Sequence, residues 1–313
     1  MNTMTQPMTL SSKDLLCLSQ LTSQEIEQIL TTAIDMKNGY GSFNTSLSDK
    51  TMVMLFEKPS LRTRMSFEVG FTKLGGSAIY LDHQGNLLGE RESISDYALN
   101  LERWVDVIVS RTFKHDTLEQ LAKAASIPII NALSDLYHPC QALADALTLK
   151  ENFADLKQIK LAYIGDGNNV CHSLLLVAAK LGFDITVISP QDYSPNAQVV
   201  RLAEKIATTT GSIIALTSDI QAASGHHAIY TDTWVSMGQE QSQSQRHDHF
   251  AQYQVTEEVM ANADADAIFM HCLPAHRGQE VVAEVIDSPK SVVFDQAENR
   301  MHAQNALMLH LLA

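Results

Sequence analysis

Short apolar runs recur along this chain at 51–56, 77–81, 105–110 and 127–131, with helical stretches between them. Such alternation reads as a parallel sheet covered by helices, because a strand needs a crossover before the next can lie parallel to it. A second series follows at Lys160–Gly165, Asp184–Ser189, Ile213–Thr217, Ala228–Thr231, Ala267–His271 and Ser291–Phe294. Two series in 313 residues predict an α/β protein of two doubly wound domains with parallel sheets, joined by helices. Pro139 suits the first turn of a helix running to about Phe153, the candidate connector. A further helix is predicted from Thr22, where Thr22 and Glu25 form a capping-box pattern and Leu21 and Ile26 a hydrophobic staple. The polar Gln239–His249 stretch reads as a mobile surface loop.

The net charge of −14 argues against nucleic acid or an anionic membrane as partner, although local arginines can still dominate a pocket for an anionic substrate. No apolar run reaches the ~18 residues of a membrane span. The first residues lack the basic and apolar regions of a signal peptide. Cys17, Cys140, Cys171 and Cys272 are widely spaced, as expected of reduced thiols in a cytoplasmic protein.

The densest chemistry lies in Phe56-Glu57-Lys58-Pro59-Ser60-Leu61-Arg62-Thr63-Arg64-Met65-Ser66-Phe67-Glu68, where a strand feeds an amphipathic helix. The free N–H groups of a helix start favour an anion, Ser60 and Thr63 add hydroxyl donors, and Arg62 or Arg64 adds a fork that fits phosphate. Taken alone, the same residues are equally a capped helix with a solvated basic turn. Arg111 follows a buried strand, at the end where open α/β sheets bind ligands; alone it reads more readily as a surface arginine.

His138-Pro139-Cys140-Gln141 is more specific. Pro139 puts His138 at a helix start, where the dipole disfavours imidazolium, and a neutral His can donate to a carbonyl oxygen. Gln141 offers a carbonyl to an NH2 group. Gly165-Asp166-Gly167-Asn168-Asn169-Val170 invites a dinucleotide reading, but Val170 stands where the third glycine belongs and no acidic residue ends the next strand. Asp232 and Ser236 can take hydrogen bonds from an ammonium group, and the Met237 N–H can face a carboxylate; Met237 as core filler is the blander reading. Cys272, in His271-Cys272-Leu273-Pro274, would stand beside a reacting amine, either as a proton-accepting thiolate or as a soft group orienting nitrogen. His271, Cys272 and His276 fit no common structural zinc spacing, so no metal is expected. The pairs His226-His227 and His247/His249 read as solvated.

Ser-x-Arg-Thr-Arg between a strand and a helix resembles the carbamoyl-phosphate loop of the aspartate and ornithine carbamoyltransferase family. Four more segments resemble its ornithine branch: His138-Pro139-Cys140-Gln141, Asp232 to Gly238, His271-Cys272-Leu273-Pro274 and Glu298-Asn299-Arg300. They come in the family's order from residue 56 to 300. The resemblance implies transfer of a carbamoyl group from carbamoyl phosphate to L-ornithine, with no cofactor, in a homotrimer or a multiple of trimers. It implies a carbamoyl-phosphate domain over 1–150, with a C-terminal helix 297–313 packing back, and an ornithine domain over 151–296. It assigns carbamoyl phosphate to Ser60, Leu61, Arg62, Thr63, Arg111, His138, Gln141, Cys272, Leu273 and Arg300. It assigns ornithine to Asn169, Asp232, Ser236 and Met237, and catalysis to Cys272, Arg111 and His138.

Two departures stand out. Leu61 replaces a Thr of the family loop but keeps the backbone N–H. Leu87 stands where many members have a Gln that reaches the neighbouring subunit's substrate; Gln84 is three residues early, and Arg91 could serve instead. The alternatives are a carbamoyltransferase for putrescine, acetylornithine or aspartate, or a nicotinamide oxidoreductase suggested only by Gly165-Asp166-Gly167. A non-catalytic protein of this fold would be expected to have lost Arg111, His138 or Cys272.

Overall fold

A computed structural model describes residues 8–39, 43–83, 87–235 and 243–312. The chain forms two compact units by its contacts: one through Leu147 together with Glu298 onward, the other Thr148–Ala297. Every strand pairing within the two sheets is parallel among the described residues.

In the first unit β1 (Thr51–Phe56), β2 (Ser77–Asp82), β3 (Val107–Arg111) and β4 (Ile129–Leu133) are ordered β2-β1-β3-β4. The interior strands β1 and β3 are buried almost throughout, whereas β2 lies at the edge and is half-exposed. Val53, Leu55, Ile108 and Ile129 pack with Leu118 and Leu121 of α4 (His115–Ala124). Burying each such side chain contributes about 1.5–3 kcal/mol. The N-terminal helix α1 (Ser23–Gly39) starts as expected. Thr22 N–H donates to Glu25 at 2.6 Å, Glu25 N–H donates back to Thr22 at 3.2 Å, and Leu21 and Ile26 are buried.

In the second unit β5 (Lys160–Ile164), β6 (Asp184–Ile188), β7 (Ile214–Thr217), β8 (Ala228–Thr231) and β9 (Ile268–His271) are ordered β7-β6-β5-β8-β9. Its core gathers Ile164, Ile229, Trp234, Phe250 and Phe269. Strand order reverses between β1 and β3 in one sheet and between β5 and β8 in the other. In parallel sheets such a reversal of strand order is the place where crossovers diverge to opposite faces and ligands bind at the carboxyl ends of the strands.

Two expectations are corrected. Ser291–Phe294 is no strand: Ser291 makes an isolated bridge to Phe269, and a helix (Val293–Leu312) starts at once. The apolar pair Val292-Val293 is read there as a helix entry, since Val292 N–H donates to Phe269 and Gln296 N–H to Val292. The polar stretch before residue 250 holds a helix over Gln243–Phe250, not a loop; 239–242 lie outside the described residues. Its Phe250 is buried and its Arg246 is ion-paired, anchors that a polar composition conceals.

Candidate active site

The loop after β1 enters α2 (Leu61–Lys73) through Ser60, whose extended backbone makes it the N-cap. Ser60 Oγ accepts from Thr63 N–H at 3.3 Å and donates to Thr63 Oγ1 at 3.0 Å. Leu61 projects outward while its N–H opens the helix, and Arg62 is half-buried in the first turn. Arg64 turns away: its guanidinium pairs with Glu68 at 2.9 Å and covers the Tyr80 ring. Arg62, not Arg64, therefore remains at the loop.

Arg111 ends β3 and is buried. His138 precedes α5 (Pro139–Asn152) and is also buried. Burial first, then the nearby Arg300 and Arg111 charges, hold its imidazolium well below the ordinary 6.5. The neutral form expected from the helix dipole is thus favoured chiefly by desolvation. Cys140 is buried and its thiol is pushed up to about 12, so it is inert packing.

Arg300 draws distant segments of this unit together. Its Nη2 donates to Thr63 Oγ1 at 3.1 Å and its Nη1 to Gln141 Oε1 at 2.8 Å. Gln141 Nε2 in turn donates to Asp145 at 2.8 Å. Thr63 of α2, Gln141 and Asp145 of α5 and Arg300 of the final helix thus form one buried network.

Sequence reasoning missed Glu57, Lys58 and Asp145. The buried Glu57 carboxylate accepts from Phe113 N–H at 2.7 Å and Leu88 N–H at 2.9 Å, tying neighbouring loops to β1. Lys58 lies over the Phe113 ring, and burial followed by Arg111 lowers its pKa. The only sequence signal was position, two charges at a strand's carboxyl end. Leu87 and Arg91 are exposed, and Gln84 lies outside the described residues.

In the second unit Gly165 takes φ 148°, and a Cβ on Gly167 would come within 2.2 Å of Pro195 N. The second glycine therefore admits the 194–195 backbone, not a pyrophosphate, and the dinucleotide reading loses its basis. Asn168 caps α6 (Asn169–Leu181), accepting from Val170 and Cys171 N–H, and donates through Nδ2 to Asp232 at 2.8 Å. Asn169 is half-buried in the first turn.

Asp232 follows β8 and is buried. Its Oδ1 accepts from Thr233 N–H at 2.7 Å and from the Cys272 thiol at 3.0 Å. Ser236 and Met237 lie outside the described residues. Leu273 takes a left-handed φ of 58°, and its N–H donates to His271 Nδ1 at 2.8 Å. The ring proton must then sit on Nε2, which faces Glu280 at 3.2 Å. Burial pushes the Glu280 pKa up, yet hydrogen bonds from His271 and from His276 N–H leave it lowered overall.

Asp232, His271 and Cys272 each offer a ligand atom within 4.8 Å of one another. His276, weighed from spacing, is not among them. Both His271 nitrogens have partners in Leu273 N–H and Glu280, while the thiol faces Asp232.

His226 is buried, against the solvated expectation, with Nε2 at 3.0 Å from Thr186 Oγ1. His227 Nδ1 accepts from Lys160 N–H. His247 packs on Trp234 and is half-buried, while His249 is exposed and reaches the Tyr193 hydroxyl.

Residues 13–151 match the profile of the aspartate/ornithine carbamoyltransferase carbamoyl-P binding domain, and residues 157–311 that of the Asp/Orn binding domain. The chain belongs to the aspartate/ornithine carbamoyltransferase family. Within it, the chain is 52% identical over 301 residues to an ornithine carbamoyltransferase of Shewanella oneidensis, covering 96% of this chain and 100% of the relative. It is 50% identical over 302 residues to that of Thermococcus kodakarensis, covering 96% of each. The solved ornithine carbamoyltransferase of Pyrococcus furiosus superposes with a TM-score of 0.91 at 48% identity, over 94% of this chain and 95% of that one.

Proposed function

We propose that this chain is an ornithine carbamoyltransferase, moving the carbamoyl group of carbamoyl phosphate to the δ-amine of L-ornithine to give L-citrulline and phosphate. The observation that carries the reading is the Arg300 network, in which one buried guanidinium meets both Thr63 of the phosphate loop and Gln141. Ser60, the Leu61 N–H, Arg62, Thr63 and Arg111 hold the phosphate. Thr63, Arg111, His138 and Arg300 donate to the carbonyl oxygen, on which negative charge develops. One such donor typically contributes ~3 kcal/mol to the barrier. Gln141 accepts from the carbamoyl NH2.

The δ-amine attacks as the free base. Its lone pair forms the new C–N bond, the C–O bond to phosphate breaks with its electrons, and the amine proton leaves to the departing phosphate. Cys272 and Leu273 are assigned to the reacting groups. Asp232 and Ser236 take the α-ammonium; Asn169 and the Met237 N–H take the α-carboxylate. The network Asp232–Cys272 supports the thiol as an orienting group for nitrogen.

The relatives' name favours ornithine over other amines. The chemistry needs no metal or organic cofactor, since phosphate leaves readily. We assign the enzyme to arginine metabolism in the cytoplasm, as a homotrimer or a multiple of trimers. No described helix is long and apolar enough to cross a membrane. The exposed Leu61, Met65, Ile79, Leu99 and Trp104 of the first unit give it apolar surface for subunit contact.

The test is phosphate release from carbamoyl phosphate with a panel of amines. L-ornithine should be preferred over putrescine, which lacks the carboxylate, and acetylornithine, which lacks the ammonium, by up to ~10⁴ in kcat/KM. Comparable values for either would overturn the ornithine assignment.

A further inference from the structure

We infer that Asp145 is a positioning residue that locks the Gln141 amide in one orientation and so lets the site tell a carbamoyl NH2 from an isosteric acyl methyl. The inference rests on the proposed binding of carbamoyl phosphate by the first unit. Asp145 lies one helical turn beyond Gln141 on α5, and it is fully buried. Gln141 is 1% exposed, so water does not decide how its amide points. Its Nε2 donates to Asp145 Oδ1, and its Oε1 accepts from Arg300 Nη1, each at 2.8 Å.

A carboxylate only accepts and a guanidinium only donates. Turning the amide over would set NH2 against the guanidinium and C=O against the carboxylate, losing both bonds and adding two repulsions. The carbonyl oxygen is thereby fixed on the Arg300 side, where its second lone pair can accept from a carbamoyl N–H. A methyl group in that place would gain nothing from it. Arg300 is itself a phosphate-site neighbour through Thr63, so the orientation is set where the substrate carbonyl would lie. An asparagine at 145 could present either an acceptor or a donor, and the lock would be lost.

The experiment compares the unaltered chain with Asp145→Asn and Asp145→Ser. It measures KM and kcat for carbamoyl phosphate, and inhibition by acetyl phosphate and by inorganic phosphate. In Asp145→Asn the preference for carbamoyl over acetyl phosphate should fall by about 5-fold to 10-fold, the worth of a neutral hydrogen bond. Inhibition by inorganic phosphate should stay within about twofold, since Gln141 is not assigned to phosphate. Adding Asp145→Asn to Gln141→Ala should leave the preference where Gln141→Ala alone puts it.

An unchanged preference in either folded variant would overturn the inference. So would a parallel loss of phosphate inhibition, which a merely structural role predicts, or a full additional loss in the Gln141→Ala background. If Asp145→Asn does not fold, Asp145→Ser supplies the same comparison. Absence of carbamoyl phosphate turnover by the unaltered chain would instead overturn the functional reading itself.

Discussion

The Cys272 thiol donates to Asp232 Oδ1 at 3.0 Å, although the two residues are 40 positions apart. The same oxygen accepts from Thr233 N–H, and Asn168 holds the other oxygen of the carboxylate. Asp232 is therefore fixed by three donors. In this arrangement the thiol is a donor and the carboxylate its acceptor.

Cys272→Ser keeps a donor toward Asp232 but shortens the bond and removes the polarizable sulfur. KM for ornithine should rise and kcat fall moderately, with KM for carbamoyl phosphate less affected. Steady-state kinetics with each substrate varied checks this. An unchanged ornithine KM would make Cys272 structural.

Arg62→Ala removes a cation from the first turn of α2, while Arg64 remains committed to Glu68. A charge-assisted contact is worth about 1.5–3 kcal/mol, so KM for carbamoyl phosphate should rise by about 10-fold to 100-fold, with lower turnover. Near-normal kinetics would show that the loop does not hold phosphate.

Arg246→Ala should destabilise the second unit. Arg246 pairs with Asp166 at 2.8 Å, with each side chain only 11% exposed. Burial already pushes the Asp166 pKa up, and Arg246 opposes that shift. Removing one partner of a largely buried pair typically costs about 3 kcal/mol, because the other charge is stranded. Adding Asp166→Asn should recover part of the loss. Urea denaturation of the single and double variants measures both; equal stability of Arg246→Ala and the unaltered chain would refute the idea.

Stability should decline in mild acid, partly through His138. Burial, then Arg300 and Arg111, depress its folded pKa well below 6.5. Below 6.5 the unfolded chain binds a proton that the folded one refuses, so unfolding gains protons and stability falls as pH falls. His115, His226 and His310, each lowered first by burial, act in the same sense. His138→Gln should therefore reduce, not abolish, the drop in denaturation midpoint from about pH 6.5 to about pH 5. An identical slope in both proteins would show that His138 does not contribute.

If Arg91 takes the part of the family's glutamine at Leu87, subunits share sites. Mixing inactive Arg91→Ala subunits with inactive Arg62→Ala subunits should then restore some activity in hybrid trimers. No recovery in verified hybrids would count against sharing.

Local features were legible because residues a few positions apart decide them. The Thr22–Glu25 box and β1 each depend on neighbours within one turn or one strand. Arg111, Asp232 and Cys272 were readable for a related reason: they fall at or just after the ends of parallel strands, and strand ends are set by local pattern, whereas Arg300 lies inside the final helix. The same reasoning failed at 291–294, where the β-branched Val292 and Val293 suit a strand or a helix entry. It failed again at 243–250, where polar residues hide a helix anchored from outside it.

What tertiary structure alone decided is which buried polar groups meet. Arg300 lies 159 positions from Gln141 and 237 from Thr63, and Arg246 lies 80 from Asp166. No local spacing encodes such pairs. A buried charge is tolerated only where folding delivers a partner, so Asp145 and Glu280 became visible only once their partners were in place. The sequence by itself determined two parallel sheets and the segments at their strand ends. The fold decided which side chain on each segment faces which partner, because desolvation and hydrogen-bond satisfaction are properties of the assembled interior.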